Sequence, residues 1–244
     1  MNCLVVGAGS MGRWFGRTLR DHADATLAFT DLDADAARRA ADAVGGRAVP
    51  SDTAERFDVI CVAVPMPVAE ETVGEYAPLA TDAVVDVTGS MAGPLAAMEA
   101  VAPDLGRASL HPLFAPENAP GNVAVVTDAG GDAVDAVLGA LTAAGNDTFE
   151  TTAAEHDEAM ETVQAGAHAA VLAYAMAADD VPDRFHTPVS GGLADLVGQV
   201  TGGDAHVYAD IQATFEGADG VAEAAREIAD ADAETFTALY EELS

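Results

Sequence analysis

The residues best suited to chemistry fall into three groups along this chain of 244. Near its start, Val5-Val6-Gly7-Ala8-Gly9-Ser10-Met11-Gly12 sets three glycines in the spacing G-x-G-x-x-G, between an apolar run and a helical pattern. In that setting Gly7 permits a tight turn, Gly9 lets the backbone approach a pyrophosphate, and Gly12 lets helix and strand pack closely. The anion then rests on the N–H groups at the N-terminus of the following helix, with Ser10 and Met11 counted among the cofactor-binding residues. Asp31 follows the next apolar run, 24 residues after Gly7, where an acidic group commonly binds the adenosine ribose hydroxyls. A 2′-phosphate would be repelled by Asp31 and Asp33, which favours NAD. NADP is the alternative, because Arg38 and Arg39 lie on the helical stretch that follows.

The second group is Ser90, in Asp86-Val87-Thr88-Gly89-Ser90, and His111, in His111-Pro112-Leu113-Phe114-Ala115-Pro116. Both follow expected strands, and an open parallel sheet binds ligands outside the carboxyl ends of its strands. An imidazole with an ordinary pKa of about 6.5 is mostly neutral at working pH and can take a hydroxyl proton as hydride departs. A hydroxyl such as Ser90 could hold its other ring nitrogen or orient the substrate. The competing reading of His111 is a loop histidine bonded to backbone. The third group centres on His168, amid Ala165-Gly166-Ala167 and Ala169-Ala170; it reads either as a core histidine or as a ligand contact. His156, in Glu155-His156-Asp157, reads as structural or surface. No spacing among the six histidines makes a metal site.

Positioning these groups requires alternating strands and helices. Strands are expected at 2–6, 26–30, 58–64, 83–87, 107–110, 122–127 and 147–150. The helical stretches between them are 12–21, 33–44, 68–76, 94–101 and 132–144. Continuous apolar runs such as Val59-Ile60-Cys61-Val62-Ala63-Val64 suit strands covered on both faces. Strict alternation implies an α/β, Rossmann-like, doubly wound parallel sheet. After Glu150 the pattern turns all-helical. Thr152-Ala153-Ala154-Glu155 reads as a capping box with Glu155 reaching back, followed by a long helix and further helices at 191–200, 205–215 and 220–243. The expected division is therefore a dinucleotide-binding domain, 1–150, and an all-α domain, 151–244.

Composition narrows the function further. Half the residues are apolar, enough for a sizeable core. The 41 acidic residues face 10 arginines and no lysine, for a net charge of −31. Without lysine, Schiff-base chemistry, a P-loop lysine and lysine-dependent dehydrogenases are excluded for this chain. The negative field argues against nucleic-acid or anionic-membrane partners. At about 1 M salt the screening length falls to roughly 3 Å, so acidity spread over the whole surface suggests a salt-rich cytoplasm. Neither the start of the chain nor the 14-residue apolar stretch 165–178 resembles a secretory signal or a membrane span. Cys3 and Cys61 read as buried free thiols.

From Gly7 to about Glu216 the sequence resembles the prephenate and arogenate dehydrogenase family. The resemblance rests on Gly7–Gly12, Val64-Pro65, Asp86 through Ser90 with Gly93-Pro94-Leu95, His111 through Pro116, Glu155-His156-Asp157, Gln164 to His168, and Asp204-Ala205-His206-Val207-Tyr208-Ala209-Asp210-Ile211. It implies that NAD(P) takes hydride from a hydroxyl-bearing ring carbon and that CO₂ loss then aromatises the ring. The product is 4-hydroxyphenylpyruvate from prephenate or tyrosine from arogenate. It also implies His111 as proton acceptor, Ser90 assisting it, Pro65 beside the cofactor, His168 in the substrate pocket and a homodimer formed by the helical domain. Gln199 stands where the family carries an arginine for a substrate carboxylate, and Ala92 where it carries a lysine. The alternatives are a related nicotinamide oxidoreductase acting on another small acid or imine, and a non-catalytic NAD-binding regulatory dimer.

Overall fold

Alternation along the first strand shows how the sheet is covered. In β1 (Asn2–Val6), Cys3 and Val5 point into one apolar layer and Leu4 and Val6 into the other, and all four are buried. The computed structural model, which describes residues 1–243, arranges eight strands in the order β3-β2-β1-β4-β5-β6-β7-β8. The other seven are β2 (Thr26–Thr30), β3 (Arg47–Ala48), β4 (Phe57–Val62), β5 (Ala80–Asp86), β6 (Gly106–Pro112), β7 (Asn122–Ala129) and β8 (Asp147–Glu150). All neighbours pair in parallel except β6 and β7. The expected fold class is therefore the observed one, with one antiparallel pair.

Five helices cover the sheet: α1 (Ser10–His22), α2 (Ala34–Val44), α3 (Met66–Tyr76), α4 (Ala92–Val101) and α5 (Asp132–Ala143). One face packs Phe15 and Leu19 of α1, Ala40 and Val44 of α2 and Val137 and Leu141 of α5 against Val5, Phe29, Val59 and Leu110. The opposite face packs Val73 and Tyr76 of α3 and Leu95 and Met98 of α4 against Leu4, Ile60, Val62 and Val84. Both cysteines are free and buried, and burial pushes the Cys3 thiol up to about 12.

Several strand ends shift by a few residues from the sequence reading, and two larger differences have physical reasons. The two-residue edge strand β3 is exposed and too short to show a periodicity. Strand β6 runs through His111 and Pro112 instead of ending at Leu110, because antiparallel β7 continues its ladder and opposes Ala124 to His111. His111 is thus a strand residue and not a loop histidine.

Contacts divide the chain into two compact units, Met1–Asp157 and a second that begins at Glu158. Helix α6 (Ala153–Met160) spans the division. Its cap is half of the expected box: Thr152 Oγ1 accepts from the Glu155 amide at 3.1 Å, while the Glu155 carboxylate accepts from the Thr151 hydroxyl. The long helix expected to follow is interrupted by a π-helical turn, Glu161–Gly166, before α7 (Ala167–Ala177). Gly217 packs so close to that turn that a Cβ there would lie 1.8 Å from the Glu161 carbonyl oxygen. Next come α8 (Pro188–Thr201), α9 (Ala205–Thr214), α10 (Gly217–Asp230) and α11 (Ala233–Glu242). The stretch 220–243, read as one helix, is two, because the Asp232 carboxylate accepts from the Thr235 amide and starts a new helix.

Candidate active site

The strand order reverses between β1 and β4, the switch point at which open α/β sheets hold their ligands. Here β1 runs into Gly7, whose amide donates to the Thr30 carbonyl at 2.9 Å. Gly7 has φ +102, and a Cβ on it would sit 2.2 Å from the Ala63 carbonyl oxygen. Gly12 is equally constrained, since a Cβ there would meet the Gly7 carbonyl oxygen at 2.0 Å. Gly9 differs: nothing lies within 4 Å of where its Cβ would be. Two glycines are thus required by packing and the third opens space beside the turn.

Helix α1 starts at exposed Ser10 with no side-chain cap and no acid in its first turn, which leaves its leading amides directed at that space. Met11 turns back onto the core. The Asp31 carboxylate accepts from the Ala8 amide at 2.8 Å and from the Asp33 amide at 2.9 Å, so it stiffens the glycine turn from the end of β2. Arg13 donates to the Ala8 carbonyl at 2.8 Å. Arg38 pairs with Asp35, and Arg39 with Asp33 at 3.2 Å, so both arginines offered for a 2′-phosphate are engaged with carboxylates. An open space over glycine backbone, an uncapped helix start and an acid at the second strand end fit a dinucleotide with free ribose hydroxyls.

The row of strand ends continues from there. Pro65 precedes α3 beyond β4, and Met66 after it packs against Gly89, where a Cβ would lie 2.6 Å from the Met66 sulfur. Gly89 leads to Ser90, whose carbonyl accepts from the Thr88 hydroxyl at 3.0 Å. Thr88 also donates its hydroxyl, at 2.6 Å, and its amide, at 3.0 Å, to the Asp86 carboxylate. Burial lifts Asp86 to about 6, against the lowering effect of these donors and of Ser109.

His111 closes the row at the carboxyl end of β6. It is buried, and its Nδ1 lies 2.8 Å from Nε2 of His156, with the two rings edge to face. His156 Nδ1 lies 2.8 Å from Oδ1 of Asp157. Asp157 in turn accepts from the Met91 amide at 3.2 Å and the Ala92 amide at 3.3 Å, at the start of α4. Burial, followed by repulsion from His156, lowers His111 to about 3, with Asp157 pulling the other way. The imidazole is therefore neutral and bears a lone pair at any ordinary pH.

Sequence reasoning missed His156. The signal was an imidazole adjacent to a carboxylate just inside a capped helix, but its partner lies 45 residues away. Beyond His111, Phe114 packs edge to face on Trp14 of α1 at 5.4 Å between ring centroids, tying the His111 segment to the glycine-turn helix. In the second unit, His168 on α7 stacks edge to face with Tyr208 of α9 at 4.8 Å. Its Nδ1 is buried with no hydrogen-bond partner among the described residues. Gln199 is exposed on α8. Among the described residues no cluster of His, Cys, Asp and Glu could hold a metal ion.

Comparison with known proteins agrees with this geometry. Residues 3–90 match the family described as "NADP oxidoreductase coenzyme F420-dependent". Over 273 aligned residues the chain is 34% identical to 4-amino-4-deoxyprephenate dehydrogenase of Streptomyces pristinaespiralis, covering 99% of this chain and 89% of that one. The chain belongs to the prephenate/arogenate dehydrogenase family. A probable arogenate/prephenate dehydrogenase of Methanocaldococcus jannaschii is 23% identical over 86% of this chain, which spans half of that relative's length. The fold is that of Aquifex aeolicus prephenate dehydrogenase, solved with hydroxyphenyl propionate and NAD+. The TM-score is 0.72 at 17% identity, over 99% of this chain and 92% of that one.

Proposed function

We propose that the chain catalyses oxidative decarboxylation of prephenate to 4-hydroxyphenylpyruvate, or of arogenate to tyrosine, with NAD preferred over NADP. The observation that carries this reading is a buried, neutral His111 at the end of the strand row that begins with the glycine turn. Gly7, Gly9, Ser10, Met11 and Gly12 would hold the pyrophosphate, Asp31 the ribose and Pro65 the nicotinamide side. When bound, the cofactor supplies the hydride acceptor. As hydride leaves the ring carbon, its hydroxyl acquires the acidity of a protonated carbonyl. A weakly basic imidazole then suffices to remove the proton. CO₂ loss restores aromaticity and needs no further group from the chain. Ser90 orients the substrate hydroxyl beside His111.

His168 and Gln199 are proposed as substrate contacts from the helical unit. The buried, unpartnered Nδ1 of His168 supports its role. Gln199 would donate an amide hydrogen where the family has an arginine, a loss of about 1.5–3 kcal/mol per charged hydrogen bond. A second substrate reading rests on the Streptomyces relative: 4-amino-4-deoxyprephenate carries nitrogen on the reacting carbon, and a neutral imidazole accepts from N–H as readily as from O–H.

The helical unit is proposed to form a homodimer, supported by its exposed Phe185, Val189, Leu196, Ile228 and Phe236. A salt-rich cytoplasm is proposed from the −31 charge. No helix among the described residues is long and apolar enough to cross a membrane. The test is a spectrophotometric assay in molar salt that crosses the three substrates with NAD and NADP. Reduced nicotinamide is expected with NAD and at least one substrate. A folded, NAD-bound sample that stays silent in every combination overturns the enzyme reading and leaves the non-catalytic dimer.

A further inference from the structure

Two side chains linked to His111 have no part in the chemistry above. His156 is 3% exposed, so its ring nitrogens must be satisfied inside the protein. One lies on His111 Nδ1 and the other on Asp157 Oδ1, both at 2.8 Å. Two imidazoles meeting nitrogen to nitrogen need one N–H and one lone pair, and the contact alone does not say which ring donates. Asp157 decides. Partial burial would raise its pKa, but the hydrogen bond from His156 and the Met91 and Ala92 amides outweigh it and hold the carboxylate ionised. An ionised carboxylate only accepts, so His156 Nδ1 carries a proton, and with that single proton on its ring His156 Nε2 carries the lone pair. His111 Nδ1 must then be the donor, which leaves the lone pair of His111 on Nε2.

We propose that His156 and Asp157 are positioning residues that fix His111 as its Nδ1–H tautomer, so that Nε2 is the atom that accepts the substrate's proton. The same carboxylate holds the amides of Met91 and Ala92, the backbone that directly follows Ser90. One anion therefore sets both the ring state of His111 and the loop that presents the Ser90 hydroxyl. Asp157 also opposes, by its own charge, the cost of placing positive charge on buried His111. The relay is the Ser-His-Asp logic with a second imidazole between the base and its carboxylate. No proton needs to leave His111 along it during turnover.

The proposal rests on His111 being the proton acceptor, and its test separates the two ideas. In the full chain with ¹⁵N-labelled histidine, two-bond ring correlations read the tautomer without any turnover; His111→Asn assigns the signal. A protonated Nδ1 and an unprotonated Nε2 are expected for His111. An Nε2–H tautomer overturns the proposal, whether or not the protein is active. In kinetics, His156→Phe removes the acceptor and is expected to lower kcat by about 100-fold or more, with KM changed less than about threefold. A wrong tautomer in the serine-protease template costs up to about 10⁴-fold. His156→Gln offers a carbonyl oxygen to His111 Nδ1–H and is expected to restore most of the rate and the wild-type His111 shifts. Equal kcat in wild type and His156→Phe overturns the positioning role. Should His156→Phe fail to fold, the wild-type spectrum and His156→Gln still decide. A wild type that shows the Nδ1–H tautomer but oxidises none of the three substrates refutes the function and leaves the relay standing.

Discussion

In the unit that ends at Asp157, Phe15, Phe29, Phe57, Leu4 and Ile60 are wholly removed from solvent; in the unit that follows, Met176, Phe185, Val189 and Leu243 are more than half exposed. The first unit buries apolar side chains on both faces of a sheet and closes its core with its own helices. In the second, helices α7, α8, α10 and α11 contain no buried residue among those described. The hydrogen-bonded relay sits in the part that is complete by itself. Its 2.8 Å contacts depend on strands and a capped helix that local packing holds rigid. The helical unit presents apolar surface of the kind that a second copy would cover.

The contrast can be broken at its strongest point by His111→Ala, which is expected to lower turnover by about 10²–10⁴-fold while NAD still binds. Initial rates and cofactor titration check this; unchanged rates would remove His111 from the chemistry. Next in size is a pair of truncations. Phe29→Ala, in the closed core, is expected to cost about 3–5 kcal/mol in denaturant unfolding. Phe236→Ser, on exposed α11, is expected to change stability by no more than about 0.5 kcal/mol yet to weaken self-association in sedimentation. Equal costs at the two positions would show that Phe236 is as buried in solution as Phe29.

A finer pair lies within the glycine turn. Gly12→Ala forces a methyl against the Gly7 carbonyl and is expected to destabilise by about 1–3 kcal/mol. Gly9→Ala meets no protein atom, so its melting temperature should hold while NAD affinity falls. The smallest effect is a cancellation in the first unit. Asp86 is raised from 3.8 to about 6, so its stabilisation is complete below its unfolded value and is lost as pH rises through 6. His111 is lowered from 6.5 to about 3, so its stabilisation is complete above 6.5 and is lost as pH falls toward 3. Between pH 4 and 6 the two slopes oppose, and wild-type stability should vary little. Asp86→Asn should then leave a stability that rises with pH, and His111→Asn one that falls. Parallel slopes in the two variants would refute the assignment.

Local patterns carried most of the sheet. The bounds of β1 and β2 are readable because each is a short apolar or β-branched run closed by turn residues, and those of β8 because Thr148-Phe149 lies between a Gly-Asn turn and a helix cap. The glycine turn and Asp31 are readable because the whole device lies within one strand-helix-strand unit. Events that depend on distant partners were not. The continuation of β6 through His111 needs β7, and the contact between His111 and His156 joins segments with no shared periodicity. The π-helical turn at Glu161–Gly166 was hidden because an extra residue in a helix leaves the local composition unchanged. The break between α10 and α11 was legible in principle, in the Asp232 carboxylate that captures Thr235, but it lay inside an alanine-rich run that reads as continuous.

The edge-to-face contact between Trp14 and Phe114 has an optical consequence. Trp14 is the chain's sole tryptophan, so its emission arises from one place, the second turn of the glycine-turn helix. Its neighbour Phe114 lies three residues beyond His111 on the same segment. A single fluorophore therefore watches both the dinucleotide turn and the segment that carries the base, and it is readable in molar salt without a label. Energy transfer to a reduced nicotinamide would report occupancy, and the colour of the indole band would report whether the His111 strand keeps its place.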